Sequence, residues 1–130
     1  MVAILVAALA AWLFGAAWYM ALSGPWKRVS GVPCDENGNR RSGMGALPFV
    51  LSGVAMVVVA AMMRHTFAAS GLDTLGAGIV GGGGIGLFFV CPWILINNAY
   101  PGRPVLLTLI DGGYALFGCA IIGAVLVLLP

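Results

Sequence analysis

Charge is scarce in this chain: Asp, Glu, Lys and Arg together make up 8% of its 130 residues, where a soluble domain carries about a quarter. One small core could not hide a composition that is 62% hydrophobic, so a water-soluble domain is excluded. The formal charge is only +2, and the basic residues form no long cluster, which argues against a nucleic-acid partner. Cysteine is equally thin. Cys34, Cys91 and Cys119 show neither a disulfide framework nor metal-ligand spacing, and read as small apolar packing groups. The one histidine, His65, follows Met62 and Met63, but no second His supports a copper site. No metal and no cofactor are expected.

What the chain has in quantity is apolar sequence. A bilayer asks for about 20 apolar residues per helical span, and four runs qualify: roughly Val2 to Leu22, Ala46 to Phe67, Leu75 to Asn98 and Pro104 to Leu129. The expected fold is all-α, an integral membrane four-helix bundle, with residues 1–130 as a single transmembrane domain. The first run lacks the basic start of a signal peptide and exceeds a typical h-region, so it reads as a retained span.

Lys27, Arg28, Arg40 and Arg41 lie between spans one and two, and Arg103 lies between spans three and four. Only Arg64 falls on the opposite side. The positive-inside rule then makes the first and third loops cytoplasmic and puts both termini outside. Trp18, Tyr19 and Trp26, with Lys27 and Arg28, are expected to anchor the inner interface, with residues 26–29 as a short interfacial turn. A polar loop over about 27–45 follows, flexible from Gly31 to Gly45. Beyond span two, Asp73 is positioned to pair with Arg64.

Lipid offers no hydrophobic reason for helices to associate, so small-residue stripes matter. Span one carries Ala3, Ala7, Ala11 and Gly15 at four-residue spacing. Span three carries Gly78, Gly82 and Gly86, and span four Ala115, Cys119 and Gly123. Gly81 to Gly84 are consecutive, and each interior glycine costs a helix about 1 kcal/mol relative to alanine in water. Either the helix continues and its neighbours approach very closely, or it unwinds locally as in broken transporter helices. Membrane helices tolerate glycine, which favours the first. Pro92 is expected to kink the same span.

One carboxylate, Asp111, lies inside an apolar run, eight residues beyond Arg103 and so roughly 10 Å along the helix. Tyr114 shares its face at i+3. The threading brings Asp111, Tyr114, Asn97, Asn98, Tyr19 and Arg103 to the cytoplasmic half of one bundle. Asp111 is then either a clamp bonded to Tyr or Asn, or a site for an ion, a proton or a ligand. Neither a Ser-His-Asp set nor a carboxylate pair can be drawn on one membrane face, since His65 and Asp111 fall on opposite sides. An enzyme is not expected.

Gly15, Trp18-Tyr19, Trp26, the glycine-rich third span, Asn97, Gly102-Arg103, the run Ile110-Asp111-Gly112-Gly113-Tyr114 and Gly123 together resemble domain-of-unknown-function family 1761. The resemblance covers essentially the whole chain and is most specific in GRPVLLTLIDGGYALFGCAIIGAVL. Trp18, Tyr19, Trp26, Arg103, Asp111 and Tyr114 match the family's motif. The resemblance implies a small, four-span bacterial membrane protein, multi-pass in the inner membrane, with no established activity. Two functions are expected of such a chain. One is a small homo-oligomeric transporter or channel using Asp111; the other is a non-catalytic accessory subunit docked on a larger membrane complex.

Overall fold

The computed structural model describes residues 1–41 and 45–129. Positions 42–44 of the expected 27–45 loop lie outside the described residues. Helix α1 (Val2–Ala21) is followed directly by the short α2 (Ser23–Ser30). Pro25 accounts for the break at Leu22, because its ring would clash with the carbonyl of Ala21 in a continuous helix. Residues 26–29 therefore belong to an eight-residue helix rather than a turn, ended by Gly31 in the left-handed region.

The next segment is more ordered than its composition implies. Asp35 Oδ1 accepts from the amides of Asn37 and Asn39 at 2.9 and 2.8 Å, an Asx-type turn. Cys34 and Arg40 form an isolated antiparallel bridge across it, and Lys27 Nζ donates to the Gly38 carbonyl at 3.1 Å. Residues 33–41 are thus a hairpin, not the flexible stretch expected.

Helix α3 (Leu47–Ser70) starts with Pro48 in its first turn and stops at Gly71, with φ of 65°. It runs three residues past the expected Phe67 because no residue before Gly71 readily adopts that conformation. The Leu72 amide bonds back to the Phe67 carbonyl at 3.1 Å. Thr74 then caps α4 (Leu75–Ile85), its hydroxyl accepting from the Ala77 amide. Gly81 to Gly84 lie within this helix, so no unwound segment forms there.

The distortion comes later, as a π-helical segment, Gly86–Val90, leading into α5 (Cys91–Ala99). Pro92 provides no amide for the Phe88 carbonyl and its ring crowds that oxygen. The widened turn, in which the Cys91 amide reaches the Gly86 carbonyl, relieves that crowding. After Gly102, again left-handed, α6 (Val105–Leu128) completes the chain.

Four stretches are long and apolar enough to cross a membrane: Val2–Ala21, Leu47–Ser70, Leu75–Ala99 and Val105–Leu128. Exposed Val58, Met62, Val80, Phe88, Phe89 and Trp93 form a surface suited to hydrocarbon rather than water. The protein is an integral membrane protein of helical-bundle type.

Helix α6 is the hub, packed by α1, α3 and the α4–α5 span. Its seam with α4 joins two of the small-residue stripes. A methyl group at Gly78 would come within 2.6 Å of the Gly123 carbonyl oxygen, and one at Gly86 within 2.5 Å of that of Ala115. Between them, Gly82 abuts the Cys119 carbonyl. Gly78 with Gly123, Gly82 with Cys119 and Gly86 with Ala115 are the rungs of one antiparallel register. Ala7, Ala11 and Gly15 of α1 are also buried, with Ala3 and Ala7 in a dry core beside Ala60, Met63, Phe67, Ile122 and Leu126.

Candidate functional site

Opposite this core, at the end of the bundle that carries α2 and the α5–α6 turn, the polar and aromatic side chains gather. The motif Asp111-Gly112-Gly113-Tyr114 works as one seating surface for α1 and α5. Gly113 makes room for Trp18, whose ring lies 2.6 Å from where a Cβ would stand. The Trp18 indole N–H donates to the Ile110 carbonyl at 2.9 Å. Gly112 faces the Cys91 sulfur, 3.3 Å from the position of a Cβ, and Cys91 Sγ donates to its carbonyl. Tyr114 fills the space left by Gly15, with its hydroxyl 3.3 Å from both the Ala11 carbonyl and the Met56 sulfur. Each glycine of the motif thus accepts a large side chain or a sulfur from another helix.

Asp111 is partly buried and accepts a 2.7 Å hydrogen bond from the Tyr19 hydroxyl, an interaction that joins α6 to α1. Tyr19 in turn meets Trp26 edge-on, with centroids 5.9 Å apart, and Tyr114 at 5.5 Å. The Trp26 side chain is a second hydrogen-bonding group at the carboxyl, and Arg103 acts on it through charge. A carboxyl, two phenols and an indole therefore share one corner of α1, α2 and α6.

The six residues expected to form one polar group divide. Asp111, Tyr19 and Tyr114 are together, though Tyr114 bonds to Ala11 or Met56 rather than to Asp111. Asn98 and Arg103 form a second, separate group: Asn98 Nδ2 donates to Thr108 Oγ1 at 3.2 Å, and Arg103 Nη1 to Asn98 Oδ1 at 3.4 Å. This ties the turn before α6 and leaves the guanidinium unpaired with Asp111. Asn97 joins neither group and is exposed, because consecutive helical residues point about 100° apart and Asn98 takes the inward direction.

Other placements also differ from expectation. Trp18, expected at the inner interface, packs its ring against α6. Arg64 does not pair with Asp73; it donates to the Leu126 and Leu129 carbonyls at 3.0 and 3.3 Å. Those oxygens lack helical partners and carry the negative end of the α6 dipole, which suits a guanidinium. His65 and Met62 are exposed while Met63 is buried, so the three do not converge. Sequence reasoning missed Trp12, whose indole donates to Ser52 Oγ at 2.9 Å, and Thr108. A polar residue within an apolar run, as at Ser52 and Thr108, was the available signal.

Because α3 and the α4–α5 span barely meet, a crevice of about 220 Å³ opens between them over α6. Met56 and Val59 form one wall, Val90 and Ile94 the other, and Asp111 and Tyr114 lie at its base. A second, larger crevice of about 460 Å³ between α1 and α4 is apolar, lined by Phe14, Trp18, Ile79 and Phe117.

The model of the family described as "Protein of unknown function (DUF1761)" matches residues 2–127. No curated protein and no solved structure matches the chain. The match spans nearly the whole sequence, and the chain belongs to this family.

Proposed function

We propose, from this membership and the geometry above, that the protein is a non-enzymatic, homo-oligomeric transporter or channel of the bacterial inner membrane, with Asp111 as its ion- or proton-handling residue. The supporting observation is the position of Asp111: its carboxyl is bonded to Tyr19 at 2.7 Å, and the residue borders, with its apolar atoms, a crevice between two helices that barely touch. Ionisable groups within a span mark transport pathways more often than not. Four spans enclose little space, so a pathway needs a second copy.

Flux measured in proteoliposomes tests this. Wild type should pass protons or small ions, and Asp111→Asn should lose that flux while remaining monodisperse. Equal flux in both would remove the reading's main support.

The proposed orientation puts α2, the 33–41 hairpin and the α5–α6 turn in the cytoplasm, since Lys27, Arg28, Arg40, Arg41 and Arg103 lie there. Cys34 in the hairpin is a free, partly exposed thiol. In right-side-out vesicles a membrane-impermeant maleimide should reach it only after permeabilisation.

The alternative reading, an accessory subunit of a larger complex, draws support from the apolar crevice between α1 and α4. Extraction in mild detergent with mass measurement separates the two. A homo-oligomer supports the first, a co-purifying larger complex the second, and a lone monomer counts against both.

A further inference from the structure

Asp111 has no second carboxylate beside it to help hold a bare metal ion. Hard cations take about six to eight oxygen ligands, yet among the described residues no three His, Cys, Asp or Glu side chains gather anywhere. Near the carboxyl the oxygen donor is Tyr19. What the crevice does provide is apolar contact, from Met56, Val59, Val90 and Ile94, together with the Tyr114 ring. No Lys or Arg lines it; Arg103, whose charge reaches the carboxyl, is hydrogen-bonded to Asn98 and makes no ion pair with Asp111. The surroundings therefore suit a ligand with one positive charge and a hydrocarbon body, which needs no oxygen cage and is drawn to aromatic faces.

We infer that the crevice between α3 and α5 admits a lipophilic organic monocation, which enters sideways from the bilayer and takes the Asp111 carboxylate from Tyr19. This substrate class rests on the transport reading. In the present arrangement Asp111 directs Oδ1 to Tyr19 and the crevice wall is apolar. Binding replaces the hydrogen bonding of Tyr19 and Trp26 by an ion pair as the carboxylate turns toward the ligand. A volume of about 220 Å³ fits a single-ring ammonium rather than a bulky multi-ring cation. Anions and zwitterions are rejected because a second negative charge would meet Asp111 in a low-dielectric setting.

Benzyltrimethylammonium is the probe, with the full-length protein in nanodiscs of uncharged phosphatidylcholine and empty nanodiscs as the blank. Wild type should bind it saturably, and its neutral isostere neopentylbenzene should displace it at least about tenfold less well. Asp111→Asn should weaken binding by at least about tenfold. Val59→Phe, which fills the crevice and leaves the carboxyl in place, should weaken it comparably. Tyr19→Phe should bind as tightly as wild type or more tightly, since the competing phenol is gone.

Equal displacement by the neutral isostere, unchanged binding in Asp111→Asn, or no saturable binding above the blank would overturn the inference. Failure of the two readings looks different. Asp111-dependent proton flux without cation binding removes the substrate class and leaves transport standing. Asp111-dependent cation binding without any flux does the reverse.

Discussion

The two ends of this bundle pack by opposite means. Around the chain termini, the α4–α6 seam brings backbone against backbone at Gly78, Gly82 and Gly123, beside a core of alanines with Met63, Phe67, Ile122 and Leu126. At the other end, helices are joined by side chains reaching across: Trp18 to the Ile110 carbonyl, Tyr19 to Asp111, Tyr114 to Ala11 or Met56. The first arrangement is rigid, because a carbonyl oxygen in close contact with a glycine cannot move independently of its helix. The second can exchange partners, because a phenol or carboxyl changes hydrogen bonds by a rotamer change. In hydrocarbon, polar contacts are also modest, averaging about 0.6 kcal/mol where double-mutant cycles have measured them. A bundle held tightly at one end and adjustably at the other has its adjustable end at the residues proposed for function.

The most disruptive change should be at the seam. Gly82→Leu places a side chain against the Cys119 carbonyl, and overpacking against backbone should cost roughly 3 kcal/mol or more. Thermal unfolding in detergent should show a large fall in Tm or no folded protein. Gly84→Ala is the control, since nothing lies within 4 Å of its Cβ position. If Gly84→Ala harmed folding as much as Gly82→Leu, the seam would not be the source of rigidity.

Next in size is Gly113→Val, which evicts the Trp18 ring and its bond to Ile110. It should cost about 2 kcal/mol and be partly rescued by Trp18→Ala. That rescue, measured by reversible unfolding, tests whether the glycine serves as a seat. Arg64→Gln should destabilise by about 1 kcal/mol through loss of charge at the Leu126 and Leu129 carbonyls. Asp73→Asn should leave stability near wild type, because Asp73 makes no ion pair with Arg64. Comparable in size to the Arg64 effect is the coupling between Tyr19 and Asp111. A double-mutant cycle with Tyr19→Phe and Asp111→Asn should give about 1 kcal/mol. A coupling several-fold larger would make the pair a rigid clamp and erase the contrast between the two ends.

Much of this was readable from residue order. The four spans were placed to within about three residues, since hydropathy and helix stops such as Gly71 are local properties. The stripes of Gly78, Gly82 and Gly86 and of Ala115, Cys119 and Gly123 announced close packing, and that Tyr19, Asp111 and Tyr114 gather at one end followed from the threading. Which residue Asp111 would bond was not legible. Tyr114 is nearer in sequence, yet its ring is drawn into the space at Gly15, and the choice of Tyr19 depends on how α1 is rotated against α6.

By itself, the sequence determined that this chain belongs in a membrane, how many times it can cross, and where its four long apolar helices lie to within about three residues. Those properties depend on the free energy of placing each segment in hydrocarbon and on local capping, and neither requires knowledge of neighbours. Only the tertiary structure decided that α6 is the hub, that the glycine stripes face each other in one antiparallel register, and that a crevice opens between α3 and α5. These depend on rotation and depth of one helix against another. In lipid, shape complementarity and a few hydrogen bonds set both, and hydropathy is blind to them.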